Sequence, residues 1–184
     1  MSTFKIEGGH QLKGKIQPQG AKNEALQILC AVLLTAEEIK IDNIPDMIDV
    51  NKLIALLKKL GVKINKLGKG SYTFKADDLN LKYLESEEFK EDGKGLRGSI
   101  MIVGPLLARV GKGYIPKPGG DKIGRRRLDT HFEGFINLGA KFRYNKEELF
   151  YGVEAKKLKG TYMLLDEASV TGTANIVMAA VLAE

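Results

Sequence analysis

The sequence predicts an α+β domain built from internal repeats, in which helices and antiparallel hairpins recur in a fixed order. Three observations carry this expectation. Three apolar, helix-length segments, each with a glycine near its start, lie near residues 21–34, 95–108 and 169–183. Lys22, Arg97 and Thr171 hold equivalent places in them, 97 − 22 = 75 and 171 − 97 = 74 residues apart. Leu60-Gly61-Val62-Lys63-Ile64 is echoed by Leu138-Gly139-Ala140-Lys141-Phe142, a displacement of 138 − 60 = 78. Self-similarity at a fixed period is the signature of a repeat architecture, and the unit here, helix–strand–helix–hairpin, is longer than the roughly 20–50 residues of ordinary solenoid repeats.

Each element follows from local pattern. Phe4–Glu7 and Leu12–Gln17 alternate apolar and polar residues and predict two short strands joined through Gly8-Gly9. Residues 21–34 are apolar on most faces and predict a buried helix. Ile39–Asp42 predicts a strand. From Asp46, Val50, Leu53, Ile54, Leu57 and Leu60 fall at helical spacing, and Gly61 suits the left-handed position after a helix. Val62–Asn65 and Ser71–Lys75 predict a hairpin turned at residues 68–70. The order then recurs: an apolar helix over 95–108, a strand at Gly113–Ile115, a helix with Phe132, Phe135, Ile136 and Leu138 inward and Gly139 after it, and a hairpin of 140–144 with 149–153. A third copy opens with a strand at Thr161–Leu165 and an apolar helix from Ser169.

Composition narrows the class. Over 184 residues the net charge is 29 − 23 = +6, compatible with nucleic acid or a small anionic ligand. Tryptophan is absent and no aromatic–basic interleaving occurs, which argues against a nucleic-acid stacking platform. Cys30 is the single cysteine, which excludes an internal disulfide framework and a multi-cysteine zinc site and fits a reducing cytoplasm. The apolar runs are too short to span a bilayer, and no metal-ligand motif is present. The expected partners are therefore small anions, without nucleic acid, membrane, metal or cofactor.

The segment 115–131 joins two prolines, three glycines and the run Arg125-Arg126-Arg127, with a single carboxylate, Asp121, between Gly119-Gly120 and the basic run. Adjacent guanidiniums repel unless an anion lies near them, and their planar forks match phosphate. Lys22, Arg97 and Thr171 stand at the N-terminal ends of three predicted helices, where free N–H groups attract anions. Brought together, these features make a polyanion site containing one acid. Taken singly, Lys22 reads as a solvated lysine, Asn23 as a helix cap and Arg97 as a partner of Glu91 or Asp92.

The same residues carry a resemblance. Gly20-Ala21-Lys22-Asn23-Glu24-Ala25-Leu26-Gln27-Ile28-Leu29 is similar to the lysine–asparagine segment of the UDP-N-acetylglucosamine 1-carboxyvinyltransferase family of enolpyruvyl transferases. Leu96–Ile100, Gly104–Arg109, Pro118–Arg127, Leu128–His131 and Ser169–Asn175 match further segments in order. The resemblance covers essentially the whole chain. It implies an enolpyruvyl transferase-type inverse α/β barrel domain of βαβαββ repeats, one of two similar domains that flank the active site. Residues 1–20 would then be strands of the second, otherwise missing domain. Residues 21–184 would be the repeat domain, with repeats over 21–94 and 95–160 and a third, truncated, over 161–184. The chain reads as the N-terminal part of an enzyme about twice as long, inactive without the missing C-terminal half.

What the resemblance implies chemically is transfer of the enolpyruvyl group of phosphoenolpyruvate to the 3-hydroxyl of UDP-N-acetylglucosamine, the first committed step of peptidoglycan precursor synthesis. Lys22, Asn23 and Arg126 would contact phosphoenolpyruvate. Arg97 and the run Arg126, Arg127, Leu128, Asp129 and Thr130 would hold the nucleotide sugar. Glu167, Ala168, Ser169 and Val170 would line its nucleotide end. Asp121 stands where most relatives carry the cysteine alkylated by fosfomycin, and would be the proton donor if burial raised its pKa against the pull of three arginines. Glu167 replaces a lysine common in relatives, and Thr171-Gly172 replaces a usual Gly-Ala. The alternatives are the shikimate-pathway enolpyruvyl transferase, whose opening segment resembles Gly-Ser-Lys-Ser instead, and a non-catalytic module that binds an anion or nucleotide sugar.

Overall fold

Two copies of one unit follow each other in the computed structural model, which describes residues 3–116, 127–147 and 150–184. The first comprises α1 (Lys22–Ala31) with a 3₁₀ turn at Val32–Leu34, β1 (Glu38–Ile41), α2 (Ile48–Lys59), β2 (Lys63–Gly68) and β3 (Ser71–Lys75). After a connecting α3 (Glu87–Lys94), the second comprises a 3₁₀ stretch at Arg97–Ile102 that runs into α4 (Val103–Val110), then β4 (Lys112–Pro116), α5 (Asp129–Asn137), β5 (Lys141–Asn145) and β6 (Phe150–Glu154). A further helix, α6 (Val170–Ala180), follows.

The sheets repeat one topology, β1-β3-β2 and β4-β6-β5, each antiparallel with the last hairpin strand in the centre. The helix ends repeat too. Gly61 and Gly139 adopt φ of 98° and 95°, in the left-handed region where only glycine is unstrained. In both, the following N–H closes the helix: Val62 donates to the Leu57 carbonyl and Ala140 to that of Phe135. The echo between 60–64 and 138–142 is thus a repeated helix stop and strand start.

The core is continuous. Leu29 and Leu33 of the first unit, Leu53 and Leu57 of α2, Phe74 of β3, Leu106 of α4 and Phe135 of α5 are all fully buried. Helix α4 packs on α6, α6 on α5, and α1 on α2 and the 3₁₀ stretch. Two glycines set these distances. A Cβ on Gly104 would lie 2.3 Å from the Asn175 carbonyl oxygen, and one on Gly134 would lie 2.2 Å from Ile176 Cδ1. No helix among the described residues is long and apolar enough to cross a membrane.

Several expectations are corrected. Residues 4–7 and 12–17 form no strands; Phe4, Ile6, Leu12 and Ile16 are almost wholly exposed. Residues 161–165 form none either, with Tyr162 and Leu164 exposed. A strand needs a sheet edge to pair with, and neither segment meets one among the described residues. The helix expected over 95–108 begins as a 3₁₀ stretch, with α-helix only from Val103. Gly98 lies in that tight turn against Leu26, where an added Cβ would come within 3.2 Å of Leu26 Cδ1. The first apolar helix is not buried on all faces, for Ile28 is exposed. In α5, Phe132, Phe135 and Leu138 point inward as the spacing predicts, but Ile136 is 47% exposed. Helix α3 was not evident from apolar periodicity; its signal is Ser86, whose hydroxyl caps the helix by accepting from the Phe89 N–H.

Candidate functional site

Three helix starts open onto one cleft. The first turns of α1 and α6 and the 3₁₀ stretch at Arg97–Ile102 surround a cavity of about 930 Å³, completed by α2, by Arg127, Leu128 and His131 and by Glu167. The symmetry of the repeats explains this: packing α1, α4 and α6 together places their equivalent ends on one side. Lys22, Arg97 and Thr171 all line the cavity, as the repeat spacing predicts. So do Asn23, Arg127, Leu128, Glu167, Ser169 and Val170. Asp129, Thr130 and Ala168 do not. Asp121 and Arg126 lie outside the described residues.

Among the described lining residues, Lys22, Lys52, Arg97 and Arg127 face Asp49 and Glu167, an excess of 4 − 2 = 2 positive charges. The single-residue alternatives resolve individually. Lys22 Nζ bonds Asp49 Oδ2 at 3.0 Å, an ion pair across two helices with both side chains part-exposed. Asn23 is not the cap of α1, since Ala21 occupies that position without a side-chain bond. The first turn of α1 thus lines the cavity with no side-chain bond at its cap position. Glu91 bonds Lys94, and Asp92 bonds Lys59 and Tyr83.

The far wall is cross-linked by carboxylates. Arg127 Nε bonds Asp129 at 2.9 Å, and its terminal nitrogen bonds Asp166 at 2.6 Å. Both acids hold the guanidinium even more firmly protonated than usual, Asp129 through the larger effect. Thr130, fully buried, donates to Asp166 at 2.9 Å and to Glu167 at 3.2 Å. These bonds tie 127–130 to 166–167. Ser169 then caps α6, accepting from the Gly172 N–H at 3.1 Å. A Cβ on Gly172 would come within 3.0 Å of Thr130 Cγ2 and 2.9 Å of Ser169 Oγ, so glycine at this place lets the capped turn sit against α5.

Four functional candidates escaped the sequence reading. Asp49 and Asp166 are ordinary surface acids until the fold brings them to Lys22 and Arg127. His131 lines the cavity beside Arg97 yet is only 2% exposed, and Asn175 is fully buried beneath it. Burial, with the positive Arg97 assisting, pushes His131 down to about 4, so it is neutral at pH 7. The one signal in the sequence was an asparagine in the middle of an apolar helix, which demands buried partners. Cys30 is buried, and burial raises its thiol far above the ordinary range, so it is no nucleophile. Among the described residues no group of three histidine, cysteine or acidic side chains is placed to hold a metal ion. The arrangement can receive a polyanion on helix N-termini and fixed cations.

Comparisons with known proteins give the chain its relatives. The protein-family model described as EPSP synthase (3-phosphoshikimate 1-carboxyvinyltransferase) matches residues 6–184. The chain is 64% identical over its 184 residues to a UDP-N-acetylglucosamine 1-carboxyvinyltransferase of Bacteroides fragilis and 57% identical to one of Porphyromonas gingivalis. A counterpart from Borreliella burgdorferi is 44% identical. The chain spans 42% of the length of each of these relatives. Among solved structures, the enolpyruvyl transferase NikO from Streptomyces tendae matches 96% of the chain and 40% of its own, at a TM-score of 0.75 and 16% identity. An EPSP synthase from Acinetobacter baumannii matches 93% of the chain and 38% of its own, at 0.69 and 17%. These two likenesses establish the fold.

Proposed function

Since the chain belongs to the EPSP synthase family of enolpyruvyl transferases, we propose that it forms the repeat domain of an enzyme that transfers the enolpyruvyl group of phosphoenolpyruvate to the 3-hydroxyl of UDP-N-acetylglucosamine. The observation that carries this reading is the cleft itself, where three helix starts, Lys22, Arg97 and Arg127 surround a volume suited to a nucleotide sugar. The relatives' names favour this acceptor over shikimate 3-phosphate, at identities of 44 to 64% against 17% for the solved EPSP synthase.

In the reaction so proposed, the sugar hydroxyl oxygen bonds C2 of phosphoenolpyruvate and gives up its own proton, which leaves with the phosphate, while C3 takes a proton. The tetrahedral adduct then loses phosphate and the C3 proton to give the enolpyruvyl ether. Lys22 and Arg126 neutralise the phosphate and carboxylate, and the uncapped first turn of α1, with Asn23, adds neutral donors. Preplaced charges of this kind stabilise the adduct without reorganising. Lys22 exchanges Asp49 for substrate, so the ion pair holds its ammonium in place beforehand. Arg97 and the wall at 127–130 hold the nucleotide sugar, and 167–170 lines its far end. Asp121 delivers the proton, and since a carboxylate is a poorer nucleophile than a thiolate, the enzyme resists fosfomycin. Residues 1–20 belong to a second domain that closes the cleft, and the reaction takes place in the cytoplasm, supplying peptidoglycan for cell shape and division.

The test is acceptor choice by the full-length protein. Phosphate release from phosphoenolpyruvate is followed with UDP-N-acetylglucosamine and, separately, with shikimate 3-phosphate. Turnover with the first alone supports the reading; turnover with the second alone overturns it. Binding of the nucleotide sugar without any phosphate release would favour the binding-module alternative.

A further inference from the structure

The buried contacts beneath the cleft determine which nitrogen of His131 carries its proton. The Gly104 backbone N–H, which can only donate, lies 3.0 Å from Asn175 Oδ1. The Ile100 carbonyl, which can only accept, lies 2.9 Å from Asn175 Nδ2. Two backbone groups therefore orient the amide: its oxygen faces Gly104 and its nitrogen faces Ile100. The second hydrogen on Nδ2 is directed to His131 Nδ1 at 3.0 Å. An amide nitrogen cannot accept, so Nδ1 must be the acceptor and bear no proton. In a neutral imidazole the proton is then on Nε2. With Nδ1 turned toward Asn175, which is fully buried, the edge of the ring left to line the cleft is the one bearing Nε2.

We propose that Asn175 is a positioning residue that locks His131 as the neutral Nε2–H tautomer, making it an uncharged hydrogen-bond donor in the floor of the cleft beside Arg97. The donor suits an oxygen of an anionic ligand. It adds direction to a site whose other donors are mostly full charges, and it does so without adding to the repulsion among them. Charging the ring would force two donors, His131 Nδ1–H and Asn175 Nδ2–H, against each other 3.0 Å apart. Burial, with that opposition and the neighbouring Arg97, keeps the ring neutral. Asn175 lies on α6, Gly104 and Ile100 on the second unit's helical segment and His131 on α5, so one side chain couples three elements. The ligand part of this inference rests on the nucleotide-sugar reading; the tautomer part does not.

The test is two-bond ¹H–¹⁵N correlation of the histidine rings in ¹⁵N-labelled protein at neutral pH. There are only two histidines, and His10, on the exposed N-terminal segment, is identified with His10→Gln. The expected His131 pattern is a protonated Nε2 beside an unprotonated Nδ1. A proton on Nδ1, or a doubly protonated ring, overturns the proposal. Asn175→Asp presents a carboxylate in place of the amide nitrogen and should move the proton to Nδ1. Asn175→Ala, which removes both bonds, should leave a mixture of tautomers. A wild-type pattern in either folded variant overturns the role of Asn175, and the wild-type spectrum decides the tautomer whether or not they fold. Saturating UDP-N-acetylglucosamine should then displace the His131 Nε2–H resonance and leave that of His10 in place. Displacements elsewhere in the cleft with His131 unmoved overturn the donor role. No displacement anywhere overturns the nucleotide-sugar reading and leaves the tautomer result standing.

Discussion

Acidification should destabilise the protein through His131 before it reaches the carboxylates. The ring lies at about 4 in the folded protein, against 6.5 for an unburied histidine. Above pH 6.5 it is neutral whether the chain is folded or not, and it contributes no pH dependence. Between 6.5 and 4 the unfolded chain takes up a proton that the folded chain refuses, so unfolding becomes easier as pH falls. Below 4 both states are charged and the loss is complete. At about 1.4 kcal/mol for each pH unit between the two values, the loss comes to about 3 kcal/mol, a sizeable share of a typical domain stability of about 5–15 kcal/mol. The assay is urea unfolding at a series of pH values for wild type and for His131→Gln, which cannot titrate. Asp42, Asp77, Glu87 and Asp92, each held low by its hydrogen-bonded partners, lose stability at the acid end too, but do so in both proteins and cancel in the difference. Wild type should lose about 3 kcal/mol more than the variant between about pH 7 and pH 4. Parallel curves would refute the reasoning, since they would mean that His131 takes its proton as easily folded as unfolded.

Three further outcomes are expected. Gly134→Ala should destabilise by about 1–3 kcal/mol despite a helix-propensity gain of about 1, because its Cβ would meet Ile176 at 2.2 Å; Ile176→Ala in the same chain should recover much of the loss, and additive melting shifts would count against the close contact. Lys22→Ala should cost the fold under about 1 kcal/mol, since its pair with Asp49 is part-exposed, yet weaken phosphoenolpyruvate use by the full-length enzyme tenfold or more, on the order of 1.4 kcal/mol; unchanged steady-state kinetics would make Lys22 a solvated surface residue. Asp121→Asn should lose most turnover while Asp121→Cys retains it and gains sensitivity to fosfomycin; rapid covalent inactivation of wild type would contradict the proposed resistance, because Cys30, the one cysteine in these 184 residues, is buried in α1.

The sequence alone determined the features that are local in physics. Gly61 and Gly139 stop helices because a left-handed residue strongly favours glycine, and that preference is written in single positions. Apolar spacing identified α1, α2, α5 and α6 and the two hairpins, since burial on one face imposes the period. The 75-residue register placed Lys22, Arg97 and Thr171 at equivalent helix starts, and like units packed alike brought them to one cleft. What the tertiary structure decided needed partners far along the chain. Residues 4–7 and 161–165 have strand patterns but meet no edge among the described residues, and alternation cannot supply one. Asn175 reaches Gly104, 71 residues away, His131, 44 away, and Ile100, 75 away. A buried amide must satisfy each of its groups, but the sequence does not state with whom. Only the packing of α6 on α4 and α5, through the missing side chains of Gly104 and Gly134, brings those partners within hydrogen-bonding distance.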